Sequence, residues 1–186
     1  MGLSRIEKLK EDYNITLDIR PYLLHPETPK EGAPRQPREG EEDGQLSEPL
    51  RTYAEEAGLT MRRSPITPNS MYSLEATEYA LEQGAYEEFH HALYKAYWED
   101  QQNLGDLDVI QEVAERSGLN WAEMSQRLES GYYRDRVMSQ FQEAMDLGIR
   151  GVPAFLIGNQ MFTGAQPYDV FKLAMARARE TYQIPT

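Results

Sequence analysis

The stretch from Leu147 to Gly158 constrains the fold of this chain more than any other. Gly148 suits the left-handed position that ends a helix, so a helix is predicted to end there. Gly151–Pro153 is a turn signal, and a proline at the first residue of a strand costs no ladder hydrogen bond. The apolar run Ala154–Ile157 predicts a short buried strand, and Met161–Thr163 a strand that returns beside it. The stretch therefore predicts a helix end, a tight loop and a β-hairpin.

The two ends of the chain predict a helix each, and the first helix is followed by a strand. Ile15–Ile19 alternates apolar with polar residues, which is typical of a strand with one buried face. Pro167 favours the first turn of a closing helix. Four apolar residues at helical spacing predict an amphipathic helix that starts almost at residue 1, namely Leu3, Ile6, Leu9 and Tyr13.

Between these ends, a proline-rich segment precedes a helical block. Residues 26–49 contain five prolines and the acidic cluster Glu39–Asp43. This composition predicts an extended surface loop, for which a solvated linker is the favoured interpretation and a partner-binding motif the alternative. From Ser47 to Leu147 the apolar spacing predicts about five or six helices, one of them with an aromatic stripe from Tyr86 to Tyr97.

The composition excludes several classes of function. The formal net charge of −12 opposes nucleic-acid binding, because phosphate contacts need a basic surface. No apolar run approaches the length needed to span a bilayer, which led us to expect a cytoplasmic protein without a membrane partner. The 186 residues contain no cysteine, so they supply neither disulfides nor thiol chemistry.

Four phrases, taken in order, resemble the DsbA-like thioredoxin-fold family of FrnE type, which also contains relatives of the 2-hydroxychromene-2-carboxylate isomerases. The hairpin phrase is Gly151-Val152-Pro153, then strand, turn and strand, then Thr163-Gly164-Ala165-Gln166. The others are Arg20-Pro21-Tyr22-Leu23-Leu24-His25-Pro26, Phe89-His90-x-Ala92-Leu93-Tyr94-x-Ala96-Tyr97 and Leu128-Glu129-Ser130-Gly131-x-Tyr133.

The resemblance implies an α/β architecture, a thioredoxin-like fold with a large inserted all-helical domain. We expect a partial thioredoxin-like domain at 1–25 and 149–186, an acidic Pro/Gly-rich loop at 26–46, and the inserted helices at 47–148. In the family a strand and a Cys-x-x-Cys pair precede the first helix, so the N-terminal strand is expected to be missing. By that analogy the chain starts roughly 15 to 25 residues late, or its lineage has lost the redox motif.

The resemblance also implies a thiol–disulfide oxidoreductase, in which a low-pKa cysteine attacks substrate disulfides and a second cysteine resolves the mixed disulfide. Because these residues include no cysteine, the chain is expected to be redox-inactive and to carry no catalytic residue. Its substrate-binding residues are expected to be Arg150, Gly151, Val152 and Pro153, with a cis Val152–Pro153 bond whose flanking backbone groups pair with an extended peptide. Protein or peptide substrates are the expected partners, and no cofactor is expected.

Two other functions remain open at this point. One is a non-catalytic module that holds peptides, and the other is the isomerase branch, which binds glutathione and in which a serine replaces the first cysteine. Ser4 falls after the matching position, so we interpret it as a surface helix residue. A homodimer is a further candidate, since a partner chain could fill the missing strand's place. Adjacent histidines point in different directions on a helix, so His90 and His91 predict no metal site.

Overall fold

The computed structural model describes residues 2–164 and 166–183, apart from the side chain of residue 43. Met1, of the predicted first helix, Ala165, of the hairpin phrase, and the terminal residues 184–186 therefore lie outside the described part. Two compact units form, one from residues 1–20 and 144–186 and the other from residues 21–143.

Eight α-helices and two short antiparallel sheets occur among the described residues. The helices are α1 (Gly2–Asp12), α2 (Leu50–Glu56), α3 (Met71–Glu82), α4 (Tyr86–Trp98), α5 (Leu107–Arg116), α6 (Trp121–Glu129), α7 (Arg134–Asp146) and α8 (Tyr168–Tyr182). The strands are β1 (Ala33–Pro34), paired with β2 (Ile66–Thr67), and β3 (Ala154–Ile157), paired with β4 (Gln160–Thr163).

The hairpin of the first unit packs one face against α8. Phe155 of β3 lies opposite Phe162 of β4, with ring centroids 5.4 Å apart. Both rings meet the fully buried Phe171 of α8 edge to face, at 4.7 and 4.9 Å. Period-2 alternation places the two strand phenylalanines on the same side of the hairpin, so one helical ring completes their cluster. The predicted hairpin and closing helix are confirmed. The expectation that Ala154–Ile157 is a buried strand is wrong, because Leu156 lies on the face opposite the phenylalanine cluster and is 60% exposed.

The prediction of a strand at Ile15–Ile19 is wrong, because the segment is not part of any sheet that the structure describes. The predicted alternation is present, because Ile15, Leu17 and Ile19 are half-buried and the residues between them are exposed. What the segment lacks is a pairing partner: within residues 2–164 and 166–183, no strand is hydrogen-bonded to it. An extended chain becomes a strand only when a neighbour accepts and donates its ladder hydrogen bonds.

The second unit is a helical domain with its own core. Its helices bury Phe89 and Leu93 of α4 together with Ile110 of α5 and Met124 of α6. Side chains cap the N-termini of α5 and α6. Asp106 accepts a hydrogen bond from the Asp108 amide at 3.0 Å, and Asn120 accepts one from the Glu123 amide at 3.3 Å.

One face of α3 carries carboxylates that pair with arginines of α6 and α7. Residues three and four apart share a helix face, so the acidic side chains form a row. Glu75 and Glu78 are buried, and burial raises the pKa of Glu75 although Arg134 opposes the shift. The ion pairs are Glu75–Arg134 at 2.9 Å, Glu78–Arg136 at 3.2 Å, Glu82–Arg136 at 3.1 Å and Glu82–Arg127 at 2.8 Å.

The segment at 26–46, predicted as a solvated loop, is irregular but firmly anchored. Part of it forms β1, and Leu46 is buried. Glu41 is buried as well and holds two arginines, with Arg35 Nη2 at 3.0 Å from Oε2 and Arg63 Nη2 at 3.0 Å from Oε1. The Arg38 amide donates to the same carboxylate at 3.1 Å. A buried carboxylate with three such partners fixes the segment to the helical unit.

The Glu41 carboxylate should make folding stability depend on pH in acid. Burial raises its pKa, but the Arg38 amide and the two arginines outweigh burial and lower the pKa to about 2. Glu41 therefore stabilises the fold fully above the pKa of the unfolded chain, near 4.5. The contribution is lost as pH falls from there through about 2. In urea unfolding from pH 7 to pH 2, the stability difference between wild type and Glu41→Gln should shrink over this window. A pH-independent difference would contradict the assignment.

Candidate functional site: the loop before strand β3

The loop 147–153 leaves α7 through a left-handed glycine, as predicted. Gly148 has φ +80°, and the Ile149 amide donates to the Ala144 carbonyl at 2.9 Å, which closes the helix. The Arg150 guanidinium donates from Nη1 to the Met145 and Ile149 carbonyls at 2.8 and 3.0 Å. A cation on the last carbonyls of a helix is favoured by the helix dipole. Arg150 therefore anchors the loop, a role that its sequence position did not reveal.

Val152 is the residue of this loop whose backbone N–H and C=O are both available for hydrogen bonding. Its side chain is 51% exposed, and its N–H and C=O make no hydrogen bond to the residues that the structure describes. The next residue is already engaged, because the Pro153 carbonyl accepts a hydrogen bond from the Gly164 amide at 2.8 Å. The Val152–Pro153 peptide bond is cis. Two free backbone groups in an exposed loop are able to pair with an extended segment.

The first turn of α1 lies against the same proline. A Cβ added to Gly2 would come within 3.2 Å of the Pro153 ring and 3.3 Å of the Phe155 ring. Glycine is therefore what lets the helix approach so closely. Any group held at the N-terminal end of α1 would lie beside the open backbone of Val152. Gly2 carries no recognisable signal in the sequence, and its role follows only from its contact with Pro153.

The free edge of β3 and the exposed face of the hairpin lie next to the Val152–Pro153 loop in the sequence and offer further groups for binding. Among the described residues, β4 is the one strand partner of β3, so the other edge of β3 carries unpaired backbone groups. The cross-strand pair Leu156 and Met161 is 60% and 45% exposed, on the face opposite the phenylalanine cluster. An open edge beside exposed apolar side chains is a template for strand addition.

Two kinds of reactive group are relevant among the described residues near this loop, namely thiols and metal-binding clusters. The sequence has no cysteine, and no cluster able to hold a metal ion occurs in the described part. Ser4 lies in the first turn of α1. His90 lies in the other unit, stacked between Tyr86 and Tyr94 at 4.8 and 4.4 Å. Burial lowers the pKa of His90 to about 4, so its ring is neutral at pH 7.

Comparison with known protein families shows which family this chain resembles. The family model described as DSBA-like thioredoxin domain matches residues 1–176. The chain belongs to the DSBA-like thioredoxin domain family. This confirms the family and the thioredoxin-like fold that the sequence resemblance implied. None of the helices described here is long and apolar enough to cross a membrane.

Three relatives illustrate the spread of this DSBA-like family. The uncharacterized protein YwbO of Bacillus subtilis (strain 168) is 25% identical over 95% of this chain and 88% of its own length. A "probable DsbA oxidoreductase SCO1869 from Streptomyces coelicolor" superposes with TM-score 0.78, at 23% identity over 100% of this chain and 85% of that one. A 2-hydroxychromene-2-carboxylate isomerase superposes with TM-score 0.64, at 18% identity over 98% and 91%. The two structures show the fold alone.

Proposed function

We propose that this DSBA-like chain serves thiol–disulfide exchange by holding an extended peptide at Val152 and along the open edge of β3. The observation that carries the proposal is the meeting of the α1 N-terminus with Pro153, next to the unpaired backbone of Val152. A thiol at a helix N-terminus has a lowered pKa and is the reactive form in disulfide exchange. The reacting thiols must come from outside these 186 residues, because the residues include no cysteine.

The exchange step would run as follows. A thiolate beside the α1 N-terminus attacks one sulfur of a substrate disulfide, a mixed disulfide forms, and the other substrate sulfur leaves as thiolate. A second thiol then loses its proton to solvent and attacks the first thiol's sulfur in the mixed disulfide, so that the substrate leaves with both sulfurs reduced and the two attacking thiols are oxidised to a disulfide. In this scheme the chain's own residues bind and orient the peptide backbone. Arg150 stays on the carbonyls of Met145 and Ile149 and keeps the loop in place.

Thiol counting in the protein purified from its native source tests the redox part of the proposal. Intact mass would be measured before and after alkylation under denaturing, reducing conditions. Two alkylated thiols, together with reduction of insulin disulfides, would support the oxidoreductase. A thiol-free native protein that still binds peptide would instead establish the non-catalytic module, which the absence of cysteine from this chain favours as the second candidate.

A charge at Val152 should weaken peptide binding by about tenfold or more. The probe is an extended peptide in which serine replaces cysteine, and binding is followed by NMR on the 186-residue chain. Val152→Asp removes apolar contact worth about 1.5–3 kcal/mol when a valine is fully covered, and 1.4 kcal/mol is a factor of ten in Kd. In the wild-type chain, the peptide should change the chemical shifts of the Val152 amide and of the β3 amides most strongly.

Leu173→Asp is the matched control for this substitution. Leu173 is 52% exposed, against 51% for Val152, and lies on α8 in the same unit. The Leu173→Asp variant should bind the peptide with a Kd within about twofold of wild type, since surface substitutions away from a binding site are nearly neutral. Equal losses in both variants, or peptide-induced shifts away from the loop and β3, would rule out this binding surface.

A further inference from the structure

The backbone groups on the free edge of β3 follow from its pairing with β4. In an antiparallel pair, residues that exchange hydrogen bonds alternate with residues whose N–H and C=O point away from the partner strand. The Gly164 amide donates to the Pro153 carbonyl at 2.8 Å, so Pro153 belongs to the bonded set. The regular register continues that set along β3 in steps of two. The N–H and C=O groups of Ala154 and Leu156 lie between these positions and therefore point to the free edge.

This edge has no feature that prevents pairing with another chain. Within residues 2–164 and 166–183, neither Ala154 nor Leu156 makes a backbone hydrogen bond on that side. Natural edge strands usually carry a charged side chain, a proline or a bulge that blocks pairing. Ala154–Ile157 contains no charged residue and no proline, and its register with β4 is continuous. The edge is thus a regular template for one more strand.

The outer face of the hairpin is apolar beside this edge. Leu156 is 60% exposed, and its cross-strand neighbour Met161 is 45% exposed. The solvated face of a two-sided antiparallel sheet is usually polar. A strand that pairs with the free edge would cover part of the Leu156 side chain, because neighbouring strands lie about 4.8 Å apart.

The charge of the chain is distributed unevenly between its two units. Residues 1–20 and 144–186 include eight of the 19 basic residues and seven of the 31 acidic residues, so this unit is nearly neutral. The formal net charge of −12 therefore comes from residues 21–143. Two copies of the chain repel each other most where two acidic units meet and least where two neutral units meet. Self-association is thus most favourable through the unit that contains the hairpin.

A second copy of β3 is complementary to this edge in antiparallel orientation. A twofold axis normal to the sheet places Leu156 of each copy opposite Ala154 of the other. Both residues point their N–H and C=O to the free edge, so each pair exchanges two hydrogen bonds. Residues opposite each other share a face of the sheet, so the large Leu156 side chain packs beside the small Ala154 side chain.

We propose that two copies of this chain associate through the free edges of β3, which joins their hairpins into one four-stranded antiparallel sheet. Two paired four-residue strands form a small interface, which is typical of reversible association. The dimer uses the same edge that the proposed function offers to a peptide, so self-association masks the peptide site. Only this masking rests on the proposed function, whereas the dimer itself does not.

Analytical ultracentrifugation of the 186-residue chain tests the dimer directly. The average mass should rise from that of one chain towards that of two as the concentration increases from about 10 μM to about 1 mM, the range expected for a weak complex. A mass that stays at that of one chain over the whole range overturns the proposal.

Leu156→Asp should raise the dimer dissociation constant by about tenfold or more, since it places a charge on the paired edge of both copies. Leu173→Asp is the matched control, because Leu173 is 52% exposed and lies on α8 of the same unit. The control should change the constant by less than about twofold. Equal losses in the two variants, or a loss in Leu173→Asp alone, would exclude the β3 edge as the interface.

Amide hydrogen exchange of the wild-type chain locates the interface without any substitution. At low chain concentration the Ala154 and Leu156 amides should exchange rapidly, and at high concentration at least about tenfold more slowly. The Phe155 and Ile157 amides point to β4 and should be protected at both concentrations. Exchange at Ala154 and Leu156 that does not depend on concentration would contradict pairing through this edge.

Competition with a cysteine-free extended peptide separates this proposal from the proposed function. If both hold, added peptide should convert dimers into monomers that carry peptide, and the apparent peptide affinity should fall as the chain concentration rises. A chain that dimerises but binds no peptide supports the dimer and contradicts the proposed function. A chain that binds peptide but stays monomeric overturns the dimer and leaves the proposed function intact.

Discussion

Replacing Phe171 with alanine should lower the free energy of unfolding by about 3–5 kcal/mol. Phe171 is fully buried and meets the rings of Phe155 and Phe162 at 4.7 and 4.9 Å. Its removal takes away the shared contact of both strands and leaves a cavity that a hairpin of two four-residue strands on one helix has few ways to fill. Chemical denaturation followed by far-ultraviolet circular dichroism measures the loss.

Leu173→Ala is the control for this prediction, because Leu173 lies on the same helix and is 52% exposed. Its effect should stay within about 0.5 kcal/mol, as is usual for surface substitutions. The hairpin carries Pro153 and the open edge of β3, so Phe171→Ala should also weaken peptide binding. A Phe171→Ala variant as stable as Leu173→Ala would mean that the aromatic cluster does not hold the hairpin.

Replacing Glu41 with glutamine should cost about 3–5 kcal/mol at pH 7, the range found when one partner of a buried ion pair is removed. Glutamine keeps the shape but not the charge, so Arg35 and Arg63 would face each other without a counter-ion. Its amide also presents one acceptor oxygen where the carboxylate presents two. Urea unfolding at pH 7 measures the cost.

Glu42→Gln is the matched control, since Glu42 is the next residue and is exposed. It accepts one long hydrogen bond, from the Gly40 amide at 3.4 Å, and its loss should cost less than about 1 kcal/mol. Similar values for the two variants would show that the segment at 26–46 is held by its apolar contacts and not by the buried carboxylate.

Much of the fold was predictable because it depends on local signals. The helix-ending Gly148, the capping residues Asp106 and Asn120 and the hairpin after Pro153 act within a few residues of themselves. The strand prediction at Ile15–Ile19 failed because it depended on a contact that is not local. Its alternation is a local property, whereas strand formation requires a partner elsewhere, and the pattern contains no information about whether that partner is present.

The candidate site was predictable in outline only. The residues at 150–153 could be named from the sequence resemblance, but the contact of Gly2 with Pro153 joins positions far apart in the chain. Arg150 was expected to bind substrate, and the structure places its guanidinium on the carbonyls of Met145, in the last turn of α7, and of Ile149, in the loop. The ion pairs of Glu41 could not be predicted from the sequence, because a proline-rich acidic segment usually stays in solvent.

The row of carboxylates on α3 has a consequence for how the helical domain finds its correct packing. Apolar ridges tolerate neighbouring alignments, but each buried carboxylate requires its arginine at hydrogen-bond distance. Moving the start of α7 away from α3 would leave Glu75 and Glu78 buried without Arg134 and Arg136. We infer that these ion pairs fix which part of α7 meets α3, since an unpaired buried carboxylate is strongly destabilising.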